Sequence, residues 1–100
     1  MALPYGLKIR GQVIKTYYGK QDAYDTLLRL AQELGIECKV VWDRKTEIKA
    51  TIDMVNREVL IEDNGKTEVW KLMIGRSKPL KGDALARAVY KIIEGDNGNK

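Results

Sequence analysis

Apolar and polar positions change their spacing along the chain, and each change marks a new element. From Leu7, the residues Leu7, Ile9, Gly11 and Val13 alternate with Lys8, Arg10, Gln12 and Ile14, the period of two expected of a strand over residues 7–15. Tyr17-Tyr18-Gly19-Lys20 reads as a turn. The period then lengthens to that of a helix: Ala23, Leu27, Leu30, Ala31 and Leu34 fall on one face. Asp22 and Asp25 form an acidic N-cap box, and Gly35 supplies a C-cap.

Between Ile36 and Ile74 the period returns to two, with turn signals at Arg44-Lys45-Thr46, Asn56-Arg57 and Asp63-Asn64-Gly65. Four strands follow, near 37–43, 47–55, 58–62 and 67–74, joined closely enough to form an antiparallel meander. Their inward positions read as Cys38, Val40 and Trp42; Ile48, Ala50, Ile52 and Met54; Val59 and Ile61; Trp70, Leu72 and Ile74. A second helix begins after Gly82 with Asp83 as its cap, carries Leu85, Ala88, Val89, Ile92 and Ile93 on one stripe, and ends at Gly95. The expected fold class is α+β: a five-stranded, mostly antiparallel sheet in the order β-α-β-β-β-β-α, with both helices on one face. Residues 1–95 form one domain in this reading, and the polar residues 96–100 form a disordered tail.

Composition changes the picture mainly by exclusion. The chain has 100 residues, no His and one Cys. The absence of His removes the usual general base, the common zinc ligand and the Ser/His/Asp and Cys/His arrangements. Cys38 reads as a buried small residue, and one cysteine permits no internal disulfide, which favours a reducing, cytoplasmic setting. No apolar run approaches the ~18 residues of a membrane span. Charged residues make up 32% of the chain, and with few Gln this richness points to a thermophilic source. Gly75-Arg-Ser-Lys-Pro-Leu-Lys-Gly82 is glycine-flanked and basic but lacks the Gly-Lys-Ser/Thr ending of a phosphate-binding loop. No cofactor or metal is expected.

Charge is segregated. Residues 1–20 and 69–82 contain no acid and together carry +8, whereas the chain as a whole nets +4. Segregated positive charge is the footprint of a polyanion partner. The expected function is therefore nucleic-acid binding without catalysis. Lys8, Arg10, Lys15, Lys20, Lys71, Arg76, Lys78 and Lys81 would hold phosphates, and Tyr17 and Tyr18 would offer rings for base stacking. The bland alternative is a solvated basic surface with both tyrosines packed at a sheet edge.

The outward strand phase supports a second expectation. Ile14, Val41, Leu60, Val69 and Met73 join Lys8, Arg10, Lys39, Lys49 and Lys71 on the face the helices leave open, and so many apolar residues are rarely left in water. Val41, Leu60, Val69 and Met73 would then form the interface of a homodimer or another protein contact. A remoter alternative is a metal-dependent nuclease, for which Glu37-Cys-Lys39 and Glu47-Ile-Lys49 supply Glu-x-Lys fragments without a well-placed third acid.

One resemblance adds to the nucleic-acid reading. Leu27-Leu-Arg-Leu-Ala-Gln-Glu-Leu-Gly35, followed by strands and then Ser77-Lys78, Lys81, Ala84, Ala86, Ala88 and Val89, resembles the helix, sheet, helix plan of double-stranded RNA-binding domains. In that family, lysines before the last helix grip phosphates across the major groove. The chain departs from the plan by an extra strand, a missing histidine-bearing loop and a lysine cluster one residue short, so no residue role is carried over.

Overall fold

The computed structural model describes residues 3–74 and 81–95. It contains β1 (Tyr5–Ile9), β2 (Gln12–Tyr17), α1 (Lys20–Leu34), β3 (Cys38–Trp42), β4 (Lys45–Asp53), β5 (Glu58–Asp63), β6 (Lys66–Lys71) and α2 (Gly82–Gly95). The strands form one sheet in the order β2-β1-β3-β4-β5-β6, every neighbouring pair antiparallel. The α+β class stands, but the sheet has six strands rather than five.

The extra strand arises where alternation hides a turn. Arg10 and Gly11 both take positive φ, 52° and 80°, and Ile9 pairs with Gln12, so residues 7–15 fold back as a two-residue hairpin. Because Leu7, Ile9, Gly11 and Val13 keep a period of two through the bend, no break in the pattern marks it. Asn64-Gly65 makes the same kind of turn between β5 and β6, with φ of 54° and 84°. Asp43 and Arg44 do so between β3 and β4. The β4–β5 loop is fastened by Asp53, whose carboxylate accepts from the Asn56 backbone at 3.1 Å and from its side-chain amide at 2.8 Å.

Helix α1 begins two residues before the predicted cap. Gly19 is its N-cap, without a side-chain hydrogen bond, and Asp22 lies in the first turn, where a carboxylate faces the positive end of the helix dipole. The predicted apolar stripe lies against the sheet: Ala23, Leu27, Leu30 and Ala31 are buried together with Leu7, Val40, Ile48, Ala50, Val59 and Ile61. Thr26 is also buried, and its hydroxyl is satisfied by donating to the Asp22 carbonyl at 3.1 Å. Helix α2 packs beside α1 and adds Ile92 and Ile93 to the buried set. Among the described residues no helix is long and apolar enough to cross a membrane.

Gly35 closes α1 in the left-handed region at φ 66°, its N–H bonding to the Ala31 carbonyl and that of Ile36 to the Leu30 carbonyl. A Cβ at this position would also collide with Ile74 Cδ1. Left-handed backbone costs an L-residue about 1–2 kcal/mol, before any clash. Gly35→Ala is therefore expected to destabilise the fold by about 1–2 kcal/mol in a urea titration, with the movable Ile74 methyl adding little, and Gly11→Ala, which meets no atom within 4 Å, should lose a similar backbone part.

Several inward assignments shift at the sheet margins. Trp42 and Trp70 do face the helix side, but both are only partly covered. Trp42 stacks on Tyr5 and donates to the Leu3 carbonyl, while Trp70 donates to Tyr24, whose hydroxyl donates to Glu68. Met54 falls in the β4–β5 loop and is 62% exposed. Strand β6 ends at Lys71, so Met73 leaves the sheet; its N–H bonds to the Gln32 carbonyl instead. Ile14 sits in a β-bulge, where Leu7 pairs with Lys15 but Lys8 pairs with Val13. The bulge removes Ile14 from the open-face series and puts Val13 there, beside Gly6.

Candidate nucleic-acid interface

The face opposite the helices is built by strand register alone. Leu7, Val40, Ile48 and Ile61 point into the core, so Lys8, Lys39, Lys49 and Glu62, one residue on in each strand, point out. The pairings set Val13, Lys8, Lys39, Lys49, Glu62 and Thr67 side by side across all six strands. Lys8 thus stands directly opposite Lys39, and Lys39 directly opposite Lys49. With strands about 4.8 Å apart, the three positions fall within about 10 Å. Among the described residues, none of the three ammonium groups lies within ion-pair distance of a carboxylate.

The remainder of this face is divided by charge. Asp53, Glu58 and Glu62 lie toward β5, with Lys71 opposite Glu58, so the basic half covers β1, β3 and β4. Like charges directly opposite on a sheet are destabilising, by about 0.2–1 kcal/mol per pair. The Lys8–Lys39 and Lys39–Lys49 pairs therefore cost stability unless something anionic lies over them, while Glu62 opposite Lys49 offsets part of that cost.

The strand aromatics take the other face. Tyr5 pairs with Tyr17, Trp42 stacks on Tyr5, and Trp70 pairs with the core residue Val59. Among the described strand residues, the open face offers cations, the carboxylates of Asp53, Glu58 and Glu62, threonines and aliphatics but no ring. Its chemistry suits phosphate oxygens rather than base stacking.

The residues singled out from the charge count are dispersed by the fold. Lys8 joins the row. Lys15 lies on the helix side, donates to the Ile93 carbonyl at 3.4 Å near the end of α2, and sits 5.4 Å from the Tyr17 ring centre. Its charge is placed against the negative end of the α2 dipole. Lys20 pairs with Asp63 at 2.9 Å, and this bond raises its pKa above the ordinary lysine value. Tyr17 is buried, 8% exposed, so its ring is unavailable for stacking; Tyr18 is 85% exposed. Lys71 is on β6, at the far edge from β1 and β2. Arg10 and Lys81 both line a cavity between the β1–β2 hairpin and α2. Arg76 and Lys78 lie outside the described residues. The two acid-free stretches therefore do not merge within the sheet, and among the described residues of the second stretch only Lys81 returns to the hairpin.

The nominated interface residues are likewise separated. Leu60 and Val69 pair with each other, but Val41 lies beyond the row that holds Lys39 and Lys49, and Met73 is off the sheet. The Glu-x-Lys fragments serve the fold: Glu37 accepts the Ile52 N–H at 3.0 Å, and Glu47 is the unpaired residue of the β3–β4 bulge. No three Asp, Glu or Cys side chains among the described residues gather as a metal site. Cys38 is buried, and burial first, then the nearby Glu37 charge, pushes its thiol up to about 12, which makes it a poor nucleophile.

Lys39 and Lys49 were visible as outward residues in the sequence, but their alignment with Lys8 was not. No known protein family, curated protein or solved structure compared with the chain matches it.

Proposed function

We propose that this protein binds nucleic acid without catalysis, seating the phosphate backbone on the open sheet face over Lys8, Lys39 and Lys49. The observation that carries this reading is the row of three opposed lysines on adjacent strands, with no described carboxylate in contact. A polyanion laid across it removes a mutual repulsion and supplies each ammonium with a charged acceptor. The ring-free face makes binding tolerant of sequence, because phosphates position a nucleic acid while base edges specify it.

The test is fluorescence anisotropy with labelled single- and double-stranded DNA and RNA at low and near-physiological salt. Three phosphate contacts correspond to a slope of roughly 2–3 in log affinity against log salt, at ~0.7–0.9 each. Failure to detect any complex at low salt contradicts the proposal.

A second reading has one observation in its favour. The same face carries three lysines on one half and Asp53, Glu58 and Glu62 on the other, so two copies related by a two-fold axis would set opposite charges against each other. The face spans five strand spacings, about 24 Å, and a strand length near 20 Å, so a dimer would bury only about 1,000 Å² in total, the lower limit for a specific interface. Sedimentation velocity separates the readings. A dimer that Lys39→Glu dissolves and Glu62→Lys in the same chain restores would favour self-association; a monomer throughout leaves the face to nucleic acid.

A further inference from the structure

The geometry points to a binding slot for a straight-chain carboxylate of medium length, such as decanoate, between the β1–β2 hairpin and α2. A cavity of about 540 Å³ lies there, within the range of small-molecule sites. Ile9, Ile14 and Ile36 line one side, and Leu85 and Val89 the other. The helix stripe shows why the space is open. Ile92 and Ile93 are buried, while Val89, Ala88 and Leu85, nearer the N-terminus, are only half-buried. The apolar stripe thus continues past the buried end of the helix, and Ile14, at the bulge, adds one more aliphatic side chain to the lining.

The shape and charge of the space select the occupant. Its lining runs along α2 from Lys81 to Ile93, about 18 Å at 1.5 Å per residue. A lining of that length favours an elongated ligand over a compact one. Among the described residues, Arg10 and Lys81 are the charged side chains of the lining, and no described carboxylate joins them. A largely apolar groove with two cations, which Gln12 and Tyr90 also line, fits a single-chain anion: burial of methylenes contributes ~0.8 kcal/mol each, and the cations fix the headgroup.

The experiment is an NMR titration of the ¹⁵N-labelled full chain with decanoate, decanol and decylammonium. The expected result is saturable one-to-one binding of decanoate below about 1 mM. Shifts should concentrate in residues 9–14 and 81–93, and decylammonium should bind at least tenfold more weakly. Arg10→Ala with Lys81→Ala should weaken decanoate at least tenfold, and Val89→Trp should abolish its binding by filling the slot. If Val89→Trp fails to melt cooperatively, Leu85→Phe serves as the second filling variant. Absence of saturation, equal affinity for decanol, or unchanged binding in a folded filling variant would overturn the assignment. Lys8, Lys39 and Lys49 take no part in the slot, so the outcome is independent of nucleic-acid binding.

Discussion

Lys39→Glu is expected to weaken nucleic-acid binding by at least a hundredfold at low salt while raising thermal stability. Lys39 stands between Lys8 and Lys49, so the substitution turns two opposed like-charge pairs into two opposite-charge pairs. Each change of this kind is worth about 0.2–1 kcal/mol in the free protein, and for a domain of this size 1 kcal/mol moves the melting temperature by about 4–8 °C. In the complex the same carboxylate removes one phosphate contact and draws its two neighbours away from the backbone. Loss of the Lys39 contact and about half of each neighbour's, equivalent to two charge-assisted contacts at about 1.5 kcal/mol each, gives about 3 kcal/mol, or roughly a hundredfold in affinity. Opposite signs for stability and binding separate a functional row from ordinary surface. A rise in melting temperature with unchanged affinity would assign the lysines to the surface alone.

The second large effect concerns the other side of the same strand. Leu7 is fully buried on β1, packed among the α1 stripe and its sheet neighbours, and Leu7→Ala should cost about 2–5 kcal/mol. Against a total stability of about 5–15 kcal/mol this is a large fraction, expected to lower the melting temperature by about 10 °C or more. Val13, 55% exposed over Gly6 on the open face, provides the contrast: Val13→Ala should stay within about 0.5 kcal/mol. Chemical denaturation of the two variants checks the assignment of faces, on which the placement of Lys8 depends. Comparable losses in both would mean that the open face is covered in solution.

The elements legible from the sequence were those whose signals are local. The α1 stripe, the Gly35 cap and the Asn64-Gly65 turn each declare themselves within a few residues, and all three appear in the structure. Features that depend on backbone irregularity did not. Arg10-Gly11 bends the chain without interrupting alternation, and the bulges at Ile14 and Glu47 each reverse the face of everything beyond them. Charge counted along the chain was a poor guide to charge in space. Lys15 and Lys20 lie in acid-free sequence, yet one is turned to the end of α2 and the other is paired with Asp63. Lys39 and Lys49 lie in mixed-charge sequence, yet they align with Lys8, because β1 pairs with β3 across the whole of α1.

The most direct measurement is the salt dependence of nucleic-acid affinity for the native chain and for a variant with Lys8→Gln, Lys39→Gln and Lys49→Gln together. These substitutions remove charge without adding any, and the three side chains make no ion pair with a described residue whose loss could confuse the result. If the row seats the phosphate backbone, the slope of log affinity against log salt becomes shallower by about 2–3. Parallel lines for the two proteins, with the variant folded, would place the binding surface elsewhere.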